Sequence, residues 1–394
     1  MIKVETFEAH EISSAAPMPR AMTHRKRRCV VSNLSILSIL QSLILLSTTA
    51  APFCAGRIRE VTFMKYLSAL ALAAALFAPV AHAEETLVFA AGTPPQGPIH
   101  EAFVEWVAAI NADGAGNVQI DYREGFTMAT PQNFYDRVKD GVVEMSWGTL
   151  TAIGGRFPLS SVVELPWLTD DAKTASVAFW RMTESGIMDQ EFHDIVPLMT
   201  LVFPQSAVHL RAPIASLDSL TGQQVIAGTQ TNAAVVSALG GTPLSIGLAE
   251  SFEAIQRGTA DGRLLPWSAF PAFRLAEITN FHIEAPVGTV VGAVFISRDV
   301  WEGLSQEARE IIMRHSGEGY SRATGARVDA VQAGIRAGIA NNPAHTIVSI
   351  SPEQEVAWQG RLASVTESWT AQVAGGAEFL DAYRAAIEAV GAEN

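Results

Sequence analysis

Three side chains of different chemistry fall close together in the stretch FEAIQRGTADGRLLPWSAF (252–270): the carboxylate of Asp261, the guanidinium of Arg263 and the indole of Trp267. An arginine can hold a carboxylate through two parallel N–H···O bonds. A tryptophan offers a flat apolar wall. An aspartate can move protons or can cap a turn. The local pattern is a helix running into a turn: Phe252 and Ile255 lie at helical spacing, and Gly258 supplies the left-handed residue that commonly ends a helix. Asp261 is therefore either a catalytic acid or the residue that holds the turn placing Arg263 and Trp267.

Other reactive groups are sparse. Both cysteines, Cys29 and Cys54, lie upstream of residue 84, so the chain beyond it has no thiolate chemistry and no disulfide. Six histidines remain (His100, His193, His209, His282, His345 and His315), none spaced from another ligand as a zinc site would require, and no metal is expected. The segment 243–247 (PLSIG) misses the nucleophile elbow at its first position. There is no phosphate-binding loop and no dinucleotide fingerprint after a strand, so no cofactor is expected. Asp170-Asp171 reads as a solvated loop. Nothing here demands catalysis.

The elements around these residues alternate. Leu87–Ala91 reads as a buried strand ending in a Gly-Thr-Pro-Pro turn, 102–110 as a helix, and 118–122 as a strand. Residues 134–138 read as a helix and 142–148 as another strand. This is the signature of an α/β layered fold. The pattern repeats: Val138, Gly141 and Glu144 in FYDRVKDGVVEMSW correspond to Ile255, Gly258 and Asp261, and each segment ends in a tryptophan, Trp147 or Trp267. Two such units suggest two lobes of related build. Both tryptophans follow glycine turns, where α/β sheets bind ligands beyond their strand ends. The last third is helical, with a capping box and a first-position proline at Ser351-Pro352-Glu353-Gln354.

The N-terminus carries its own signal. Residues 64–83 (MKYLSALALAAALFAPVAHA) have a basic start, an apolar core and a small-x-small cleavage site, the three regions of a secretory signal peptide. Residues 1–63 are expected to be a mis-assigned upstream segment, with Met64 the initiator; the alternative is a real N-terminal anchor, with RKRR (25–28) preceding the stretch VVSNLSILSILQSLILLS. The chain from Glu84 onward holds 18 Lys and Arg against 36 Asp and Glu, a net charge of −18. That balance argues against nucleic acid or an anionic membrane surface as partner and suits an exported soluble protein.

The stretch 217–262, LDSLTGQQV…ALGGTPLSIGLAESFEAIQRGTADG, resembles the solute-binding proteins of TRAP transporters, the C4-dicarboxylate-binding (DctP) family. The family pattern runs "dLkGlKiR", "lGa.Pv" and "sE.y.ALq.GvvDGqenP". Leu220, Gly222, Leu239, Gly240, Pro243, Glu250, Ala254, Gln256, Gly258, Asp261, Gly262 and Pro266 keep it. VKDGVVEM, LPWL (165–168) and WEGLSQEAREII match further family segments, so the resemblance spans essentially everything after residue 83. It implies a type II periplasmic-binding fold, two α/β lobes around a ligand cleft with C-terminal helices. Lobe I would take 84–203 and 288–331, and lobe II 204–287 and 332–394. It further implies a protein in the periplasm that captures a small solute and delivers it to the small and large membrane permease subunits; a monomer is expected. Asp261 then belongs to the turn and caps local N–H groups.

The departures from the pattern bear on the ligand. The family arginine that bridges the ligand carboxylate corresponds to Ile226, a second arginine to Ser206, and the "DGqeN" glutamine and asparagine to Arg263 and Leu265. Either another arginine, Arg156 or Arg263, has taken over the charge, or the ligand is not a simple dicarboxylate. An aromatic or branched acid between Trp147 and Trp267, with one arginine on its carboxylate, would satisfy both the apolar replacements and the charge. Thr93, Thr149 and Gln205 are the further candidate ligand-binding residues. Two other functions share the fold: a periplasmic ligand sensor docking to a receptor, and an enzyme, which would need a base or nucleophile in the cleft.

Overall fold

The computed structural model describes residues 84–393; the expected signal peptide at 64–83 and the segment before it lie outside the described residues. The chain first lays down β1 (Glu85–Ala91), α1 (Pro98–Asp113), β2 (Val118–Arg123), α2 (Phe134–Lys139), β3 (Met145–Thr149), α3 (Ala172–Glu184) and β4 (Ile195–Val202). It then builds β5 (Ala207–Leu210), β6 (Gln224–Ile226), α4 (Gln230–Ala238), β7 (Thr242–Leu244), α5 (Ser251–Gln256), β8 (Gly262–Leu265), α6 (Phe270–Phe273) and β9 (Phe281–Glu284). β10 (Val291–Ser297), α7 (Arg298–Gly303), α8 (Gln306–Arg314), α9 (Gly317–Ala340), β11 (Thr346–Ser349), α10 (Pro352–Gln372) and α11 (Gly376–Ala392) complete it.

These strands form two sheets, ordered β2-β1-β3-β10-β4 and β11-β9-β5-β8-β6-β7. One strand in each runs against its neighbours: β10 lies antiparallel to β3 and β4, and β5 antiparallel to β8 and β9. Both reversed strands are entered as the chain crosses from one sheet to the other, β4 into β5 and β9 into β10, whereas β11, entered on a third crossing, lies parallel to β9. The architecture is therefore the two-lobed α/β arrangement that the sequence implies.

Each lobe starts from the same local unit. A short helix ends at a glycine in the left-handed region, Gly141 with φ 67° after α2 and Gly258 with φ 76° after α5, and the chain turns into a buried strand. A residue with a Cβ would be strained at either glycine. Asp261 holds its turn as expected: its Oδ2 accepts from the Gln224 N–H at 2.8 Å, tying the start of β8 to β6. Asp171 is not merely solvated; its side chain accepts from the Thr174 N–H at 2.7 Å and caps α3. The capping box at Ser351 forms, with Gln354 Oε1 accepting from the Ser351 N–H at 2.9 Å.

The long helix α9 packs along α3 and β4 of the first lobe and against the turn Trp267–Ala269 of the second. Gln332 on α9 makes the link polar: its Nε2 donates to the Gln205 carbonyl and its Oε1 accepts from the Ser268 N–H, both at 3.2 Å. α10 covers α4, whereas α11 lies on α3, so the C-terminal helices clasp both sheets. Among the described residues no helix is long and apolar enough to cross a membrane.

Candidate functional site

The carboxyl ends of β1 and β3 and the end of β8 open onto one cavity of about 360 Å³. The first lobe contributes Thr93 from the turn after β1 and Trp147 and Thr149 from β3; the second contributes Arg263 and Leu265 from β8. Ser206, on the β4–β5 crossover, also lines it. These six expected residues are brought together.

Four others are not. Arg156 is surface-exposed on the far side of its turn, paired with Asp136 at 3.5 Å and stacked over the Tyr135 ring. Gln205 is an internal strut: its Nε2 donates to the Thr169 carbonyl at 2.6 Å and its Oε1 accepts from the Gly288 N–H at 3.0 Å, fastening the two crossovers together. Ile226, the last residue of β6, is fully buried against Ile255 of α5 and Ala260. Trp267 is buried beneath the cleft floor, its Nε1 donating to Glu284 Oε1 at 3.0 Å and its ring packed on His209 and Phe270. An aromatic ligand between Trp147 and Trp267 is therefore not what this geometry offers; the indole on the cavity is Trp147.

Trp147 is held rigidly. Its ring packs against Phe103 at a centroid distance of 5.2 Å and lies over Gly292 of β10, where any added Cβ would collide with the six-membered ring. Aromatic contacts of this kind fix a wall without costing ligand-induced ordering.

Arg263 is the cavity's charge. It is only 4% exposed, yet among the described residues it has no ion pair. Its Nη1 donates to Ser251 Oγ at 2.5 Å and to the Ile246 carbonyl at 3.3 Å, which orients the guanidinium, while Nε has no partner. Burial lowers its pKa to about 10, with the charge of Glu250 opposing, so it stays cationic at neutral pH. A buried unpaired cation is costly unless a partner arrives.

Strand register places Arg263 beside Ile226, the position that corresponds to the family arginine. Ile226 pairs with Arg263 across the parallel β6–β8 ladder, so both side chains leave the same face of the sheet. The guanidinium that lines the cavity thus comes from the strand next to β6. The same row continues through His209 and His282, paired with Arg263 and with each other. His209 Nδ1 lies 3.0 Å from His282 Nδ1, and His282 Nε2 lies 3.1 Å from His345 Nδ1. Burial holds His209 well below its ordinary pKa and brings His282 to about 3, so both are neutral. They form a chain, and no metal-holding cluster of His, Cys, Asp or Glu exists among the described residues.

Unpaired polar atoms mark the site independently. Buried polar groups are nearly always hydrogen-bonded. Among the described residues the exceptions are Arg263 Nε, Ser206 Oγ, Asn232 Oδ1 and Ser268 Oγ, all on this cavity, and Thr151 Oγ1 and Glu164 Oε1, on a second one. Asn232 in the first turn of α4 and Ser268 after β8 had no sequence signal of their own, since small polar residues are ordinary at caps and turns.

The family model for bacterial extracellular solute-binding protein, family 7 (DctP), matches residues 89–372. The outer membrane transporter protein TsaT of Comamonas testosteroni is 24% identical over 343 residues, covering 82% of this chain and 98% of its own. Among solved structures, a TRAP solute-binding protein from Rhodoferax ferrireducens with copurified benzoate is 25% identical with a TM-score of 0.73, covering 78% of this chain and 99% of its own. A marine metagenome TRAP solute-binding protein specific for aromatic acid ligands, in complex with 3-hydroxybenzoate, is 21% identical, also with a TM-score of 0.73 and the same coverage. By the match across most of its length, the chain belongs to the DctP family of bacterial extracellular solute-binding proteins.

Proposed function

We propose that this protein captures a small aromatic or similarly apolar monocarboxylate, with Arg263 holding the carboxylate and Trp147 and Leu265 walling the apolar body. The observation that carries the reading is the buried guanidinium of Arg263, lining the cavity without a carboxylate partner. Ser206, Asn232 and Ser268 supply unpaired oxygens for ligand hydroxyl groups, and Thr93 and Thr149 border the same space. One arginine where the family pattern has two fits a single carboxylate better than a dicarboxylate. The benzoate and 3-hydroxybenzoate carried by similar structures accord with this.

The work is capture and delivery, without turnover. The two lobes, one around each sheet, close by hinge motion about the crossovers that Gln205 fastens, with α11 moving with the first lobe, on whose α3 it packs, rather than with lobe II. The protein acts as a monomer in the periplasm, reached through the signal peptide at 64–83, and hands its ligand to the small and large permease subunits. A thermal-shift panel of benzoate, 3-hydroxybenzoate, mandelate, succinate and benzamide tests the assignment. Ligand at 100 times its dissociation constant adds about 2.7 kcal/mol. Aromatic monocarboxylates are expected to stabilise and succinate and benzamide not to; the reverse order overturns the reading.

A further inference from the structure

The second cavity, about 160 Å³, lies between the segment after β3, the start of α4 and α10. Its floor is Glu164, which is 1% exposed. Glu164 Oε2 accepts from Thr229 Oγ1 at 2.7 Å, but Oε1 has no partner, and neither has Thr151 Oγ1 on the same wall. Among the described residues no lysine, arginine or histidine pairs with Glu164; nearby Arg156 is committed to Asp136. The opposite wall is Trp369, whose Nε1 donates to Ser161 Oγ at 2.7 Å and so leaves only apolar indole surface toward the space.

We propose that this cavity is a second binding site that takes a primary alkylammonium group. Glu164 Oε1 meets no donor within hydrogen-bond distance, and the Thr151 hydroxyl beside it has lone pairs to spare, so the place fits a group rich in N–H, of which an ammonium carries three. A carboxylate floor repels the organic anions that suit the main cleft, so the two sites take opposite charges. A bare metal ion would need converging ligands, and the described residues hold no such cluster. The aromatic and aliphatic wall of Trp369 and Val365 suits an alkyl stem and adds cation–π attraction. Burial pushes the Glu164 carboxyl up to about 7 against the opposing pull of the Thr151, Thr229 and Thr231 hydroxyls, so near neutrality a cation meets it already partly ionised and completes the ionisation.

The site is tested with n-propylammonium chloride and the purified protein at pH 8, by calorimetry and thermal shift, against sodium chloride and tetramethylammonium chloride at equal ionic strength. Saturable binding and stabilisation by propylammonium alone are expected. Glu164→Gln should abolish both, and Thr151→Val, which leaves Glu164 in place and serves if the first variant does not fold, should weaken binding about fivefold or more. Lack of saturable binding, equal stabilisation by all three salts, or undiminished binding by both variants would overturn the proposal.

Discussion

Glu144 and Asp261 do the same job in the two sheets. Glu144 Oε2 accepts from the Val88 N–H at 2.9 Å, and Asp261 Oδ2 accepts from the Gln224 N–H at 2.8 Å. Each acid stands just before the first residue of its strand that bridges to the parallel neighbour, Met145 on β1 and Gly262 on β6. Their carbonyls match as well, accepting from the N–H groups of Ser297 and Arg211 on or beside the reversed strands. Asp261→Ala and Glu144→Ala should each lower stability by about 1–2 kcal/mol through the lost acceptor. Ligand affinity should change less than about twofold. Chemical denaturation and calorimetry on the two variants check this; a large loss of affinity with intact stability would put Asp261 back in the site.

The bare α-carbon of Gly292 makes room for Trp147. Gly292→Ala should push the indole toward the cavity and weaken ligand binding by about tenfold, while leaving the second cavity untouched. Tryptophan fluorescence of the variant, with and without ligand, would register the displaced ring.

Trp147 and Trp267 should part company on mutation. Trp147→Ala removes a cavity wall and is expected to reduce affinity strongly. Trp267→Ala leaves a hole against His209 and Phe270 and removes one donor to Glu284, which keeps its pair with Arg336, so stability should fall by about 3–5 kcal/mol. Parallel unfolding and binding curves distinguish the two roles.

Much of this was legible in the chain because it rests on local rules. Gly141 and Gly258 announce their turns through the need for positive φ, Ser351 announces a helix start, and the spacing from Val138 to Glu144 and from Ile255 to Asp261 reveals the duplicated unit. What was not legible depends on which strands meet. Ile226 and Arg263 are far apart in sequence, and only the β6–β8 ladder shows that their side chains share a face. Trp267 looked like the partner of Trp147 by position, but the turn after Pro266 carries its ring under the sheet edge toward Glu284. Arg156 looked like an alternative clamp until Asp136 and Tyr135 were seen to claim it. The histidine row is a pure product of register, invisible to any search for i,i+4 ligand spacing.

The buried carboxyl of Glu164 sets a pH dependence of definite sign. Its folded pKa, about 7, lies above its ordinary 4.5, so between these values the folded chain binds the extra proton. Stability from this group is complete below about pH 4.5, falls as pH rises toward 7, and levels off above, by about 3 kcal/mol in all. Subtracting the pH–stability curve of Glu164→Gln from that of the wild type isolates the effect. A flat difference would mean that Glu164 is not buried as described.

The central claim is that one buried guanidinium holds one carboxylate. Calorimetric titration of the wild-type protein and of Arg263→Met with benzoate and with benzamide tests it most directly. Benzoate should bind the wild type, while benzamide, and benzoate with Arg263→Met, should bind at least about 100-fold more weakly. The ligand-free variant should be no less stable, because it no longer buries an unpaired charge. Benzoate binding that survives Arg263→Met within a few-fold, or benzamide binding as well as benzoate, would contradict the account.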